Sequence, residues 1–559
     1  MAAMSAGHAV ADALARLGVR QVFGMAGSCM LEILDGMHGR EDIYFLSVRH
    51  EQAAALMADA WGRITGRPGV CMATNGPGAT NLVTGVANAW QAQSPVLVIT
   101  GAPMMRDTFR DSAQEIDQIA LFRPVVKWSI QVRRPERAAE AVREAYGIAL
   151  SGVPGPVHID LPRDVLNEEV LPPNFSGMPE GPAARPAPSP EAVREAARIL
   201  KEAERPLILA GGGVLWAEAG GELIELAEAL GAAVMTSTGR DDAAPASHSL
   251  CLGSVGRGTI PEAAALFKRA DAVFAVGTRL AHTTTFLKPD FFGAGAMLIH
   301  AALDGRNIGR VYPAAVGMVA DAGIALQALL RELRPGEAGG RTGWRKEIEE
   351  VRTAQARHRE AAANRNGKPI DPRRAHAALA KVLPADAILT TEAGSCAGYI
   401  YELHTFGLPR SFLAPLDLSA IGVGYPLGLG AKVAAPGRTV VTLSGDGAFL
   451  CNGAEVETAV RERIHTVCII LNNFNYGSER AYQAHFYGGR YIGDRIGNPA
   501  FDAYARAFGA VGYRVTEPAD LEDAFAEALR QDASVLVDVL CDPDVFPVPR
   551  RKDAVRKGR

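Results

Sequence analysis

The sequence predicts an α/β protein of three doubly wound parallel-sheet domains, and three observations lead there. Short, continuous apolar runs recur at Val96–Thr100, Leu207–Ala210, Ala272–Val276, Thr439–Leu443 and Val467–Leu471. Strands buried on both faces of a parallel sheet have this pattern. Longer helical patterns alternate with these runs, as crossover helices require. Two stretches rich in Pro, Gly or Ala, 172–190 and 334–343, divide the 559 residues. The expected units are 1–175, 190–333 and 365–545, each of ordinary domain size, followed by a basic tail at 546–559.

Composition excludes several classes. Lys plus Arg number 58 and Asp plus Glu 62, a net charge of −4, so no basic surplus points to nucleic acid. The seven cysteines include no Cys-x-x-Cys pair, which argues against a disulfide framework or structural zinc and makes a cytoplasmic location the expectation. No apolar run approaches the ~20 residues of a membrane helix, so no membrane partner is expected. Met1–Gly18 lacks the basic start and apolar core of a signal peptide. It reads as an amphipathic helix with Val10, Leu14 and Leu17 on one face.

In the first block, the strand Tyr44–Ser47 leads into Val48-Arg49-His50-Glu51, where a helix opens. By itself, Glu51 would simply complement the helix dipole. The strand Val70–Ala73 leads into a glycine turn, Thr74-Asn75-Gly76-Pro77-Gly78-Ala79-Thr80-Asn81. In the last block, Ala393-Gly394-Ser395-Cys396 forms a second small-residue loop and Ile421 lies among glycines.

Gly445-Asp446-Gly447-Ala448 follows the strand Thr439–Leu443. Glycine lets backbone approach a ligand closely, and a helix start offers free N–H groups to phosphate. A helix expected over Phe449–Arg461 and the strand Val467–Leu471 then carry the chain to Asn472-Asn473-Phe474-Asn475. Asn473 should therefore stand beside Asp446, at the end of the next strand. One carboxylate, one amide oxygen and one carbonyl make a hard-oxygen site for Mg²⁺, which completes its octahedron with phosphate and water.

Gly445-Asp446-Gly447 followed by Asn473 resembles the cofactor motif of the thiamine-diphosphate enzymes in the acetolactate synthase superfamily, and the likeness covers almost the whole chain. It implies three domains of the thiamine-diphosphate-binding type: a pyrimidine-binding first, a central second and a diphosphate- and Mg²⁺-binding third. It implies that Asp446, Asn473 and the backbone of Asn475 hold the metal. It also implies that Glu51 is the catalytic carboxylate on ring nitrogen N1′. Gly394, Ser395, Cys396, Gly445, Gly447 and Ala448 would face the diphosphate. Gly76 and Asn81 would face the cofactor from the Glu51 domain. Ser419 and Ile421 would hold the aminopyrimidine, with Ile421 bending the cofactor beneath its two rings. Because Glu51 and Asp446 lie in different domains, and the family builds its site between subunits, a homodimer or homotetramer is expected.

Within the superfamily the chain most resembles sulfoacetaldehyde acetyltransferase, at Phe23–Ser28, Asn307-Ile308-Gly309, Tyr476–Arg490 and Phe546–Ala554. Acetolactate synthases place Met where Ser478 stands. The implied reaction converts sulfoacetaldehyde and phosphate to acetyl phosphate and sulfite. Alternatives are acetolactate synthesis from pyruvate, another 2-oxo acid or aldehyde lyase, or an inert cofactor-binding homologue. Candidate substrate residues are Ser28, Gln114, Ser478, Arg480 and Arg490. Lys127 and Arg550 are further candidates for binding sulfonate or phosphate. FAD is doubtful: Gly211-Gly212-Gly213 is retained, but Ile299–Asp304 lacks the acidic run of flavin-binding relatives.

Overall fold

The computed structural model of the chain describes residues 3–172, 184–333 and 341–548. They build three six-stranded sheets in which every strand pairing is parallel. The α/β class read from the sequence is the class observed. Strands such as Val96–Ala102 are buried at every residue, which explains their unbroken apolar character. A short antiparallel pair, Met4–Ser5 with Glu169–Val170, closes the first block on itself.

The first sheet runs in space Tyr44–Ser47, Gln21–Gly24, Gly69–Ala73, Val96–Ala102, Val157–Pro162, Ser129–Gln131. The third runs Phe412–Leu413, Ile388–Thr391, Val440–Gly445, Val467–Asn472, Val535–Leu540, Val511–Val515. Numbered by chain order within each sheet, both read 2-1-3-4-6-5. The middle sheet, strands Pro206–Ala210 to Val316–Val319, reads 3-2-1-4-5-6. In all three the order reverses beside strand 1, and a crevice opens there at the carboxyl ends of the strands.

The two outer sheets meet through corresponding helices. Glu51–Thr65 and Gly424–Ala434 each follow strand 2 of their sheet, and they pack together. Alanines at 53, 54, 55, 58 and 60 keep the first helix thin enough to be buried almost all round. Gly430 does the same for the second: a Cβ there would lie 2.5 Å from the Met57 carbonyl oxygen.

Two local expectations change. The first helix spans Ala6–Arg16, with Ser5 Oγ accepting from the His8 N–H at its start. The helix expected over Phe449–Arg461 is broken into Asp446–Phe449 and Glu455–Arg461. Between them Asn452 donates its side-chain amide to the Gly422 carbonyl at 2.6 Å and offers its own carbonyl to Glu455 N–H. Side-chain bonding of this kind competes with helix continuation. Most of the two expected linkers, and most of the basic tail including Arg550, lie outside the described residues. Among the described residues no helix is long and apolar enough to cross a membrane.

Candidate functional site

The parallel register sets Gly445 opposite Leu471, so the loops that follow, at Asp446 and Asn473, emerge side by side. Asp446 is buried, and its Oδ2 accepts from the Phe474 N–H and from Asn498 Nδ2, both at 2.7 Å. Burial pushes its carboxyl up to about 6, against the pull of those hydrogen bonds. Asn473 Oδ1 accepts from the Asn475 N–H at 3.0 Å, and Asn475 Nδ2 donates to the Asn473 carbonyl at 2.6 Å. Phe474, between them, is held at φ +58°, a left-handed conformation that a bulky residue rarely adopts. Asn475 Oδ1 is buried with no partner among the described residues.

These groups line a cavity of about 310 Å³. Its wall includes Gly394, Ser395, Cys396, Ile421, Gly445, Gly447, Ala448 and Ser478, together with Asp446, Asn473 and Asn475. Gly477 sits so close to the opposite loop that a Cβ would lie 2.6 Å from Ser395 Oγ. Ile421 is 42% exposed, a large apolar side chain left uncovered beside polar loops. Ser419 stands outside that wall, exposed and at φ +52°, with its hydroxyl donating to the Leu416 carbonyl at 3.0 Å.

Two residues that the sequence reading missed organise this edge. Glu392 is fully buried and accepts from Val423 N–H at 3.0 Å, Gly424 N–H at 2.8 Å and Ser444 Oγ at 3.3 Å. It ties together the segments that carry Ser395, Ile421 and Asp446, and burial pushes it up to about 7. A charged residue directly after the strand Ile388–Thr391, which is buried at every residue, was its signal. Asn498, which also donates to Asn472 Oδ1 at 3.0 Å, comes from an irregular stretch with no periodicity to betray it.

The first sheet carries the second cluster. Glu51 opens its helix, is 6% exposed, and accepts from Asn81 Nδ2 at 2.9 Å. The Gly76 N–H donates to Gln118 Oε1 at 2.9 Å, and the Asn75 side chain holds the Gln114 carbonyl at 3.1 Å. Gln118 in turn bonds Asp160, whose carboxyl burial pushes up to about 6. Gln114 and Ser28 are exposed, and the loop before Ser28 abuts Thr74. Thus Glu51, Gly76, Asn81 and Gln114 converge around one turn. None of them lines the Asp446 cavity of the same chain.

The expected anion ligands are placed differently. Arg480 bonds Asp494 at 2.8 Å and Asp544 at 2.6 Å, and its guanidinium lies 4.1 Å from the Tyr491 ring centre. These contacts fully engage it, and it is not part of the cavity wall. Arg490 is exposed and outside the wall. The Lys127 ammonium donates to the carbonyls of Ile148 and Ser151, and burial pushes it down to about 8.

The donor set fits thiamine diphosphate with Mg²⁺. Asp446, Asn473 and Asn475 bring hard oxygens to one wall of the cavity, and Asn475 Oδ1 is buried there with no partner among the described residues. The small-residue loops at Gly394 and Gly445 leave room for a diphosphate. The central crevice fits a flavin poorly. At the end of Pro206–Ala210 it holds about 60 Å³, room for a few waters. Arg279 and Arg240 reach from its margin to the carbonyls of Gln91 and Ala92.

Comparison with known families and proteins agrees with this geometry. The family described as thiamine pyrophosphate enzyme matches through its N-terminal TPP-binding domain at residues 4–121, its central domain at 193–329 and its C-terminal TPP-binding domain at 392–539. A probable acetolactate synthase large subunit of Methanocaldococcus jannaschii is 34% identical, covering 97% of this chain and 92% of its own. The acetolactate synthase isozyme 3 large subunit of Escherichia coli is 33% identical, with 99% and 97% covered. The sulfoacetaldehyde acetyltransferase of Alcaligenes xylosoxydans xylosoxydans is 31% identical, with 99% and 96% covered. Overall identity therefore gives the acetyltransferase no advantage over the synthases. Three domain matches in order, and relatives alike over nearly the full length, make this chain a member of the thiamine pyrophosphate enzyme family.

Proposed function

We propose that the protein is a thiamine-diphosphate- and Mg²⁺-dependent C–C lyase or acyltransferase acting on a small 2-oxo acid or aldehyde. The observation that carries this reading is the placement of Asp446, Asn473 and Asn475 around one cavity at the ends of adjacent strands. Bound there, thiamine diphosphate would supply a carbon nucleophile that stores the electron pair released when a C–C bond breaks. The chain's residues do the rest. Asp446 and Asn473, with the backbone of Asn475, hold the metal. Ser395 and the Gly445–Ala448 turn would hold the diphosphate, and Ile421 would support the cofactor. Glu51, steadied by Asn81, exchanges a proton with ring nitrogen N1′. Since Glu51 does not line the Asp446 cavity of its own chain, a second copy supplies it, and the working unit is at least a dimer.

Within this class, the narrower reading is conversion of sulfoacetaldehyde and phosphate to acetyl phosphate and sulfite. It is supported by Ser478 in the cavity wall, where the synthase pattern has methionine. The second reading, acetolactate synthesis from pyruvate, is supported by the higher identity to the synthases. A product assay with thiamine diphosphate, Mg²⁺ and phosphate separates them. Phosphate-dependent sulfite release from sulfoacetaldehyde supports the first. CO₂ and acetolactate from pyruvate overturn it in favour of the second. Turnover of no aldehyde or 2-oxo acid would leave an inert homologue.

A further inference from the structure

A second chamber, of about 370 Å³, adjoins the Asp446 cavity and shares Gly394, Ser395, Tyr399 and Ser478 with it. Its far wall comes from the central domain, at Arg257–Pro261, His282 and Phe286, and its rim from Phe546–Val548. Arg257 stands on a loop that two glycines force into one shape. Gly256 has φ +121° and Gly258 φ +75°, and a Cβ on either would fall within 2.6 Å of Thr238 or Tyr401. Thr259 Oγ1 locks the same loop by accepting from the Gly256 N–H at 2.7 Å. The other charged groups in the chamber have partners: Arg373 forks onto Asp371, and His358 lies 3.5 Å from Glu402 and 3.6 Å from Glu262. Among the described residues Arg257 makes no hydrogen bond or ion pair. Its charge nevertheless acts on the two α-helical neighbours Cys396 and Tyr401.

We infer that this chamber is an anion subsite, in which Arg257 receives the carboxylate or phosphate of a reactant on its way to the Asp446 cavity. A guanidinium carried on a fixed loop, without a carboxylate partner, is suited to an oxyanion, which it can grip through two parallel N–H donors. The inference rests on the cofactor reading above. It assigns to the central domain a share in choosing the reactant.

The test is equilibrium titration of the protein, loaded with thiamine diphosphate and Mg²⁺, with inorganic phosphate and separately with pyruvate. Arg257→Gln should weaken binding of at least one anion about tenfold or more. Arg257→Lys should recover part of that loss, and cofactor affinity should stay unchanged in both. The anion affected tells whether phosphate or carboxylate is the source. On the unaltered protein, phenylglyoxal should modify Arg257, and the bound anion should protect it. Equal anion affinities in Arg257→Gln, or no binding of either anion by the unaltered protein, overturn the subsite. Failure of the unaltered protein to bind thiamine diphosphate would overturn the cofactor reading instead.

Discussion

The carboxylate of Glu455, in the C-terminal domain, accepts the backbone N–H of His50 at 3.0 Å, one residue before Glu51. It also accepts the Arg49 N–H at 3.0 Å. One side chain thus fixes the entry of the Glu51 helix against the other domain of the same chain. Both bonds end on Oε1, while Oε2 accepts from Thr458 Oγ1 at 2.6 Å, so Glu455→Ala would leave two N–H groups and a hydroxyl without their acceptor. A stability loss of about 1–3 kcal/mol is expected, read from the urea midpoint. Glu51 should be less well placed, so turnover should fall more than cofactor affinity.

Glu51→Gln should keep metal-dependent binding of thiamine diphosphate and lose exchange of the cofactor's C2 proton, followed by NMR. Unchanged exchange would remove Glu51 from its assigned role. Asp446→Ala should instead lose metal-dependent cofactor binding, and retained tight binding would refute the metal site.

Mixing these two inactive proteins tests the dimer. If Glu51 and Asp446 of different copies meet, a mixed pair contains one intact site and one doubly defective site. Subunit exchange should then restore about a quarter of normal activity, since half the pairs are mixed and half their sites are whole. A mixture that stays inactive after exchange would show that each chain completes its own site.

Gly430 permits the contact between the two outer domains. Gly430→Ala would drive a Cβ to 2.5 Å from the Met57 carbonyl oxygen, which sits on helix backbone that cannot turn away. A loss of about 1–3 kcal/mol is expected in thermal or urea unfolding. Gly437→Ala, with no atom within 4 Å of the new Cβ, should change stability by no more than about 0.5 kcal/mol.

Glu392 gives a pH signature. Burial raises its carboxyl from 4.5 to about 7, so the folded protein holds a proton that the unfolded chain has released across that interval. The folded state binds more protons there, and its stability falls as pH rises through it. Glu392→Gln removes the titrating group. The stability difference between normal and variant protein should therefore shift against the normal protein by about 3 kcal/mol between pH 4.5 and 7, in unfolding of the cofactor-free form. A difference independent of pH would mean that Glu392 stays charged throughout.

The fold class was legible because both-face burial leaves an unbroken apolar run, and strands such as Ala272–Val276 and Val467–Asn472 fall where that pattern puts them. The Asp446 and Asn473 pair was legible because the interval between them holds one crossover, which places two strand ends together. Where side chains rather than periodicity decide, the sequence was silent. The break at Asn452 depends on the Gly422 carbonyl, thirty residues away. Arg480 read as an anion ligand because its two acidic partners, Asp494 and Asp544, are distant in sequence and close in space. Arg257 drew no notice because a lone arginine between two glycines has no pattern; only the chamber around it gives it meaning.

The shared strand order of the outer sheets speaks to ancestry. Two units with one topology, joined through corresponding helices, are what duplication of a single α/β unit would leave, with the central domain set between the copies. Their strand ends have since diverged: a buried Glu51 follows the second strand of one, and Asp446 and Asn473 follow the third and fourth strands of the other.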